Sequence, residues 1–201
     1  DGEGMPCGVL FDGAPVSTVA EGVEGEVWGV APDGRTLVVS RQGRTARIAV
    51  PDLRTGSIRA VAVSPEGERL AMAVGGGPDE GVLIAGIVRN GTGMAERLCE
   101  TWHRVSSRSD VSMLTFYNDI TLVYATDGAS ARQQAFRQLT PGPETAQSLP
   151  DSTVTSIATG DVSRYHRLAV FDDLGIVRTA SGSLEGAWTI VYSQAEAMSA
   201  R

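Results

Sequence analysis

The residues of this 201-residue chain best suited to acid–base catalysis or metal ligation are its two histidines, His103 and His166. An imidazole titrates near neutral pH and is a frequent metal ligand. The sequence contains neither the H-E-x-x-H pattern of zinc proteases nor a G-x-S-x-G nucleophile elbow. We therefore expect both histidines to be solvated strand or turn residues, and we predict no catalytic residue and no metal site.

Acidic side chains offer a second possible chemistry, the binding of calcium. They stand beside predicted turns at Asp12, Asp119, Asp161 and the pair Asp172-Asp173. Short carboxylates cap turns by accepting backbone hydrogen bonds, and we predict that role for them. The segment GGGPDEG at 75–81 resembles a phosphate loop, but a predicted strand follows it and not a helix, whose N-terminus would bind an anion. We predict no cofactor.

The two cysteines, Cys7 and Cys99, are separated by 92 positions. In an oxidising compartment they could form a disulfide, and otherwise they are two buried thiols. The sequence leaves both alternatives open. The Asn-Gly-Thr segment at 90–92 matches a glycosylation sequon, but Asn-Gly is equally a hairpin turn signal.

The charge of the chain limits its partners. The net charge is −7, the isoelectric point is about 4.8, and all 17 basic residues are arginines. General nucleic-acid binding needs a basic surface, so we predict no nucleic-acid partner. No apolar run is long enough to span a membrane.

The arginines are unevenly distributed, which suggests a surface for a partner protein. Residues 1–26 carry six acids and no base, whereas six arginines follow between positions 35 and 59. Such polarity can steer association, and tryptophan and arginine are frequent interface anchors. The candidate partner-binding residues are Trp28, Arg35, Arg41, Arg44 and Arg47. The alternative is that the arginines are solvated strand faces and that Trp28 packs inside the protein.

The elements that must position these residues are short strands joined by tight turns. VAPDGRTLVVS at 30–40 and VSPEGERLAMAV at 63–74 both read as strand, turn and strand, with a glycine at the turn. The leucines at 37, 70, 122 and 168, which open the second strand of each hairpin, are 33, 52 and 46 residues apart. Blades of four strands repeat at about 40–50 residues.

This spacing predicts an all-β fold, a β-propeller with about four to five four-stranded blades, as part of a larger ring. A β-sandwich, which also has many short strands, is the alternative. We treat residues 1–201 as one domain, a fragment of a longer protein. Within this domain, the end of a preceding blade occupies residues 7–20, and the successive blades occupy residues 26–57, 58–105, 109–150 and 154–193.

Three segments resemble the C-terminal β-propeller of the actinobacterial lipoprotein LpqB family. They are IRAVAVSPEGERLAMAV at 58–74, LIAGIVRN at 83–90 and DVSMLTFYNDITLVYAT at 110–126, with Leu114 where the family often has tryptophan. The 58–90 region is the most specific part, because the Pro-Asp-Gly turn alone also occurs in TolB-like propellers. The absence of lysine suits a high-GC actinobacterium.

The resemblance implies an extracytoplasmic domain, held at the membrane by a lipid anchor that lies upstream and outside this chain. It also implies a partner, the extracytoplasmic domain of an MtrB-like sensor histidine kinase, and hence a non-enzymatic role in cell-envelope and division signalling. Two alternatives remain. The first is a propeller that uses its central channel, either to bind a small ligand or glycan or as an enzyme. The second is a TolB-like envelope scaffold.

Overall fold

The computed structural model describes residues 10–11, 14–50, 53, 56–126, 130–137, 140–148, 153–162, 165–174, 176–181 and 189–193. These residues form antiparallel strands, together with one short 3-10 turn at Val23–Gly25. No helix in this part of the chain is long and apolar enough to cross a membrane.

The first full sheet contains β3 (Val19–Glu21), β4 (Val27–Val30), β5 (Thr36–Arg41) and β6 (Arg44–Ala49), side by side in chain order. A separate two-stranded hairpin, β1 (Leu10–Phe11) and β2 (Ala14–Pro15), precedes it.

The second sheet contains β7 (Ser57–Val63), β8 (Arg69–Gly75) and β9 (Gly81–Arg89). Its outer position is divided between β10 (Ala95–Leu98) and β11 (His103–Ser106), which both pair with β9. The residues between β10 and β11 leave the ladder after Cys99, whose amide still donates to the Gly86 carbonyl at 2.8 Å. The outer edge of this sheet is therefore interrupted.

The third and fourth sheets are four-stranded antiparallel sheets. The third has β12 (Val111–Asn118), β13 (Thr121–Thr126), β14 (Ser130–Arg137) and β15 (Thr140–Ser148). The fourth has β16 (Val154–Val162), β17 (Tyr165–Asp172), β18 (Ile176–Ser181) and β19 (Thr189–Ser193).

The core consists of apolar layers between successive sheets. Along β8, Leu70, Met72 and Val74 join the layer shared with the first sheet, whereas Ala71 and Ala73 join the layer shared with the third. Along β13, alternate residues in the same way face the second and fourth sheets. Both faces of these strands are thus buried, because side chains alternate between the two faces of a strand.

The first strands of the four sheets meet at one place. Segments of β3, β7, β12 and β16, with the residues that directly follow β3 and β7, line a common cavity. Sheets that stack face to face and direct their first strands at a shared channel form a β-propeller arrangement. The predicted fold class is confirmed.

The first blade begins earlier than the sequence predicts. The sequence places residues 19–20 at the end of the preceding blade, but β3 pairs with β4 and is the innermost strand of the first sheet. Leu37 therefore lies on a third strand, whereas Leu70, Leu122 and Leu168 lie on second strands. This offset explains why the first spacing, 33 residues, is shorter than the other two.

Candidate functional site

Trp28 lies in the core and not on the surface. Its side chain is fully buried in the layer between the first and second sheets, and its indole Nε1 donates to Oε2 of Glu26 at 2.8 Å. The side chain of Trp28 is therefore not accessible at the surface, as the alternative interpretation of the sequence expects. Its neighbours Val30, Leu37 and Val39 pack in the same layer, which explains why an aromatic residue at this position is enclosed.

The partner of Trp28, Glu26, is a buried carboxylate with a cation beside it. Arg89 of β9 donates to both carboxylate oxygens, at 2.7 and 2.9 Å, so the pair connects the first sheet with the second. Burial alone raises the pKa of Glu26, but the hydrogen bonds from Arg89 and Trp28 and the positive charge of Arg89 outweigh it. The pKa of Glu26 is held below its usual range, and the carboxylate stays ionised.

Arg41 and Arg44 lie opposite each other at the turn between β5 and β6. Arg41 reaches the second sheet, where it donates to the Gly93 carbonyl at 2.7 Å, and it also forms an ion pair with Glu24. Only 14% of the Arg41 side chain is exposed, whereas Arg44 is exposed. Of these two arginines, Arg44 is the one accessible to a partner.

Arg35 and Arg47 are displaced from that turn. Arg35 precedes β5, about 20 Å along the strand from Arg41. Arg47 pairs with Val38, whose side chain packs on the face opposite to Leu37 and Val39. Both arginines are exposed. The structure therefore brings Arg41 and Arg44 together and does not join all four arginines in one patch.

Asp33 lies at the same end of the first sheet as Arg35. Its carboxylate accepts hydrogen bonds from the Thr36 hydroxyl and from the amides of Arg35 and Thr36. The Thr36 hydroxyl first, then the Arg35 amide and, more weakly, the charge of Arg47, lower the pKa of Asp33. These contacts place Arg47 in the electrostatic surroundings of the Pro-Asp-Gly turn.

The other residues with possible chemistry have structural contacts. Asp172 is buried and accepts hydrogen bonds from the amides of Leu174 and Ile176, as a turn-capping carboxylate does, and it pairs with Arg178 at 2.7 Å. His103 lies half-buried on β11. Cys99 is exposed, and its potential disulfide partner Cys7 lies outside the described residues.

Two further sequence features fall on turns in the structure. Asn90 caps the turn between β9 and β10, accepting from the Thr92 amide and hydroxyl and from the Met94 amide. The 75–81 segment joins β8 to β9 without a helix. In the described part of the chain, no three His, Cys, Asp or Glu side chains are grouped closely enough to hold a metal ion.

The central channel is a cavity of about 380 Å³ lined by the inner strands. Small and apolar residues such as Ala62, Val63 and Ala158 contribute to its wall. Thr115 and Thr159 also line it, and their hydroxyl oxygens lie 2.9 Å apart in a hydrogen bond that joins the third and fourth sheets. The channel has the volume for a small ligand.

A larger hollow, about 670 Å³, lies between the outer edges of the first and second sheets. Four apolar residues contribute to its wall: Val50, Leu53, Leu83 and Trp102. Three charged residues accompany them: Asp79, Glu100 and Arg104. A smaller hollow of about 190 Å³ adjoins it and shares Glu100 and Trp102. We call the two hollows together the rim groove.

Sequence reasoning missed the rim groove. It exists because β6 ends at Ala49 while the outer strand of the second sheet is interrupted between Leu98 and His103. Trp102 lies in that interruption, half-buried against the core layer. The sequence signal that could have indicated the groove is Trp102 with charged residues, Glu100 and Arg104, two positions to either side.

Comparison with known proteins identifies a family. Residues 3–197 match the model of the lipoprotein LpqB β-propeller domain. The chain is 48% identical over 203 aligned residues to Lipoprotein LpqB of Bifidobacterium longum (strain NCC 2705). The alignment covers 99% of the chain but 35% of that protein, so the chain spans about a third of the length of this relative.

Two solved structures resemble the fold at low sequence identity. A catalytically inactive virginiamycin B lyase from Staphylococcus aureus, solved with quinupristin, has a TM-score of 0.56 and 15% identity, over 92% of this chain and 58% of the lyase. YCF48 from Cyanidioschyzon merolae has a TM-score of 0.55 and 13% identity, over 81% of this chain and 49% of that protein. At such identities the likeness concerns the fold alone.

Proposed function

Since the chain belongs to the family of lipoprotein LpqB β-propeller domains, we propose that it is the protein-binding propeller of an exported lipoprotein. The lipoprotein would act outside the cytoplasm, at the cell envelope, without catalysing a reaction itself. Its partner is the extracytoplasmic domain of an MtrB-like sensor histidine kinase, whose signalling the propeller modulates. The match over residues 3–197 is the observation that carries this proposal.

The surface of the described residues supports a protein partner. Propellers place their binding loops and outer strands around a rigid core, so the scaffold loses little conformational entropy when it binds. Arg44, Arg47 and Arg35 are exposed and spaced along one sheet. Exposed arginines that do not form one patch suit contacts at several points of a large partner surface better than a compact site for one anion.

The first test asks whether the chain binds the proposed partner at all. The purified chain is first checked for folding and monomeric state, and then titrated by interferometry with the extracytoplasmic domain of the MtrB-like kinase from the same organism. We expect saturable binding of micromolar affinity or better. A folded chain that does not bind would overturn the proposal for this domain and move the contact to the rest of the lipoprotein.

Three variants then locate the contact. Arg44→Glu changes the turn between β5 and β6, and the double variant Arg35→Glu/Arg47→Glu changes the opposite end of the sheet. Arg59→Glu, which changes an exposed arginine of the second sheet that donates to the Ser109 carbonyl at 3.0 Å, is the control. Weaker binding in one of the first two variants, with Arg59→Glu unchanged, supports an arginine contact. Binding by all three variants with the affinity of the unmodified chain would exclude Arg35, Arg44 and Arg47 as contacts.

The central channel supports a second candidate function, the binding of a small ligand or glycan. Its volume of about 380 Å³ falls within the range of small-molecule sites. A thermal-shift screen of small polar ligands tests it, because a ligand that binds only the folded state raises Tm.

A further inference from the structure

The rim groove has the shape of a site for an extended chain segment. Its two hollows, about 670 and 190 Å³, share Trp102 and Glu100 as wall residues. A compact small molecule would occupy one hollow, whereas an extended peptide could lie across both. The groove also runs between the outer edges of two sheets, on the circumference of the propeller, where a partner protein can approach.

The apolar part of the groove can bind the aliphatic or aromatic portion of a side chain. Val50 and Leu53 are buried residues that follow β6, and Leu83 is a buried residue of β9. Trp102 is half-buried and belongs to the groove wall. A tryptophan in such a position provides a large, rigid contact area, and its ring face attracts a cation.

The charge of the larger hollow selects among possible occupants. Asp79 and Glu100 both line it, and neither has a hydrogen-bond or ion-pair partner among the described residues. Arg104 lines the same hollow and donates to the Pro78 carbonyl at 3.1 Å, so two negative charges and one positive charge face the larger hollow. Arg97 lines the smaller hollow. The net negative charge of the larger hollow, carried beside a tryptophan, is complementary to a long side chain with an apolar stem and a positive head.

We propose that the rim groove binds an extended segment of a partner protein through a lysine or arginine side chain. The stem of that side chain lies against Leu83 and Trp102, and its charged head lies between Asp79 and Glu100. The inference rests on the proposed protein-binding function, and it names the chemistry of the segment recognised. It does not depend on the identity of the kinase.

The test selects peptides on the groove itself. A phage-displayed library of random linear peptides is panned on the folded chain. Clones that also bind the variant Asp79→Asn/Glu100→Gln, which removes both charges and keeps the side-chain shapes, are discarded. We expect the remaining peptides to share a lysine or arginine next to an apolar residue.

A synthetic peptide from that set then gives the affinities. It should bind the unmodified chain and the control Glu68→Gln/Glu96→Gln, which removes two exposed charges elsewhere, with equal affinity. We expect binding to Asp79→Asn/Glu100→Gln to be weaker by about tenfold or more. The same peptide with its cation replaced by glutamate should not bind. Binding should also change the fluorescence of Trp102, and Trp102→Phe should abolish that change.

The outcomes separate this inference from the proposed kinase partner. Enrichment without cations, no enrichment, or equal binding to the charge-neutral variant would overturn the groove proposal, whatever the kinase domain does. Conversely, a selected cationic peptide that binds as described supports the groove even where the kinase domain does not bind the chain.

Discussion

Arg89 and Glu26 form a two-point ion pair that connects the first and second sheets, with Nη1–Oε1 and Nη2–Oε2 distances of 2.7 and 2.9 Å. The same guanidinium donates to the carbonyls of Gly67 and Gly93, both at 2.9 Å. Each of these acceptors lies in a turn of the second sheet. Arg89 therefore fixes two turns and the neighbouring sheet at once, and its charge is neutralised by a carboxylate that has no exposed surface.

Replacing Arg89 by methionine should destabilise the protein strongly. The methionine keeps the apolar stem but leaves the Glu26 carboxylate buried and unpaired, apart from the bond from Trp28. Breaking one side of a buried ion pair costs about 3–5 kcal/mol, and we expect a loss of that size in the free energy of urea unfolding at pH 7.

The control for this change is Arg97→Met, an exposed arginine on the adjacent strand β10. Exposed substitutions without such contacts change stability by about 0.5 kcal/mol or less. The double variant Glu26→Gln/Arg89→Met should be less destabilised than the sum of the two single variants, because it leaves no unpaired charge. Equal stability of Arg89→Met and Arg97→Met would show that the ion pair contributes nothing.

The stability of the protein should fall in acid partly because of Glu26. The pKa of Glu26 is lowered in the folded state from its ordinary value of 4.5, so between the two values the unfolded state binds more protons. The stabilisation is therefore complete above about pH 4.5 and is lost as the pH falls through the folded pKa. Urea midpoints measured from neutral pH downward should show this decline.

In the Arg89→Met variant we expect the sign of this dependence to be reversed. Without Arg89, burial raises the pKa of Glu26 and is opposed only by the hydrogen bond from Trp28 and the charge of Arg41, so protonation should relieve the buried charge. The difference in stability between the unmodified chain and Arg89→Met should therefore shrink as the pH falls. A difference that stays constant from neutral to acidic pH would contradict the assignment to Glu26.

Gly67, in the Pro-Glu-Gly turn, should tolerate alanine less well than Gly43. Both glycines have a positive φ, +74° and +76°, which costs alanine about 1 kcal/mol. A Cβ on Gly67 would also lie 2.7 Å from both methyl carbons of Val23, whereas one on Gly43 would have no neighbour within 4 Å. We expect Gly67→Ala to lose about 1–3 kcal/mol more than Gly43→Ala in chemical unfolding.

A second substitution separates crowding from backbone strain. Val23→Ala removes the methyl groups that the new Cβ would touch, so Gly67→Ala should cost less in a Val23→Ala background than alone. Additive costs for the two changes would mean that the contact with Val23 plays no part, and the cost of Gly67→Ala would then come from the backbone conformation and from Arg89 Nη2, which lies 3.1 Å from the new Cβ.

The all-β class and most hairpins were predictable because they depend on local signals. The turn glycines at 34 and 67 and the alternating strands that flank them are visible in the sequence, and both glycines have a positive φ in the structure. β3 was assigned to the wrong blade because three residues are too few to show alternation. The turn that follows β3 is a 3-10 turn in which a non-glycine residue, Glu24, has a positive φ of 52°. Such a turn lacks the proline and glycine pattern that marks the hairpins at 30–40 and 63–74.

The candidate site was less predictable, because it depends on which strand faces which sheet. Nothing in the sequence distinguishes Arg41 from Arg47. In the structure Arg47 pairs with Val38 and shares its face of the sheet, whereas Arg41 lies on the face of Leu37 and Val39. Trp28 is buried in the layer between two sheets, where its indole bonds to Glu26, and Glu26 pairs with Arg89, 63 positions further along the chain. Such distant pairing leaves no local pattern, and the rim groove arises in the same way from two separate sheets.

The last prediction distinguishes binding at the rim from binding in the central channel. Ala158 is exposed and lines the channel, so Ala158→Trp adds bulk to that cavity without removing a buried contact. If the partner binds the outer surface, its affinity for Ala158→Trp should equal that for the unmodified chain. A small ligand that binds in the channel should no longer raise Tm of this variant, whereas one that binds elsewhere should still raise it. A loss of kinase-domain binding in a variant with an unchanged urea midpoint would instead place the partner contact at the channel, because the substitution alters no residue of the outer strands.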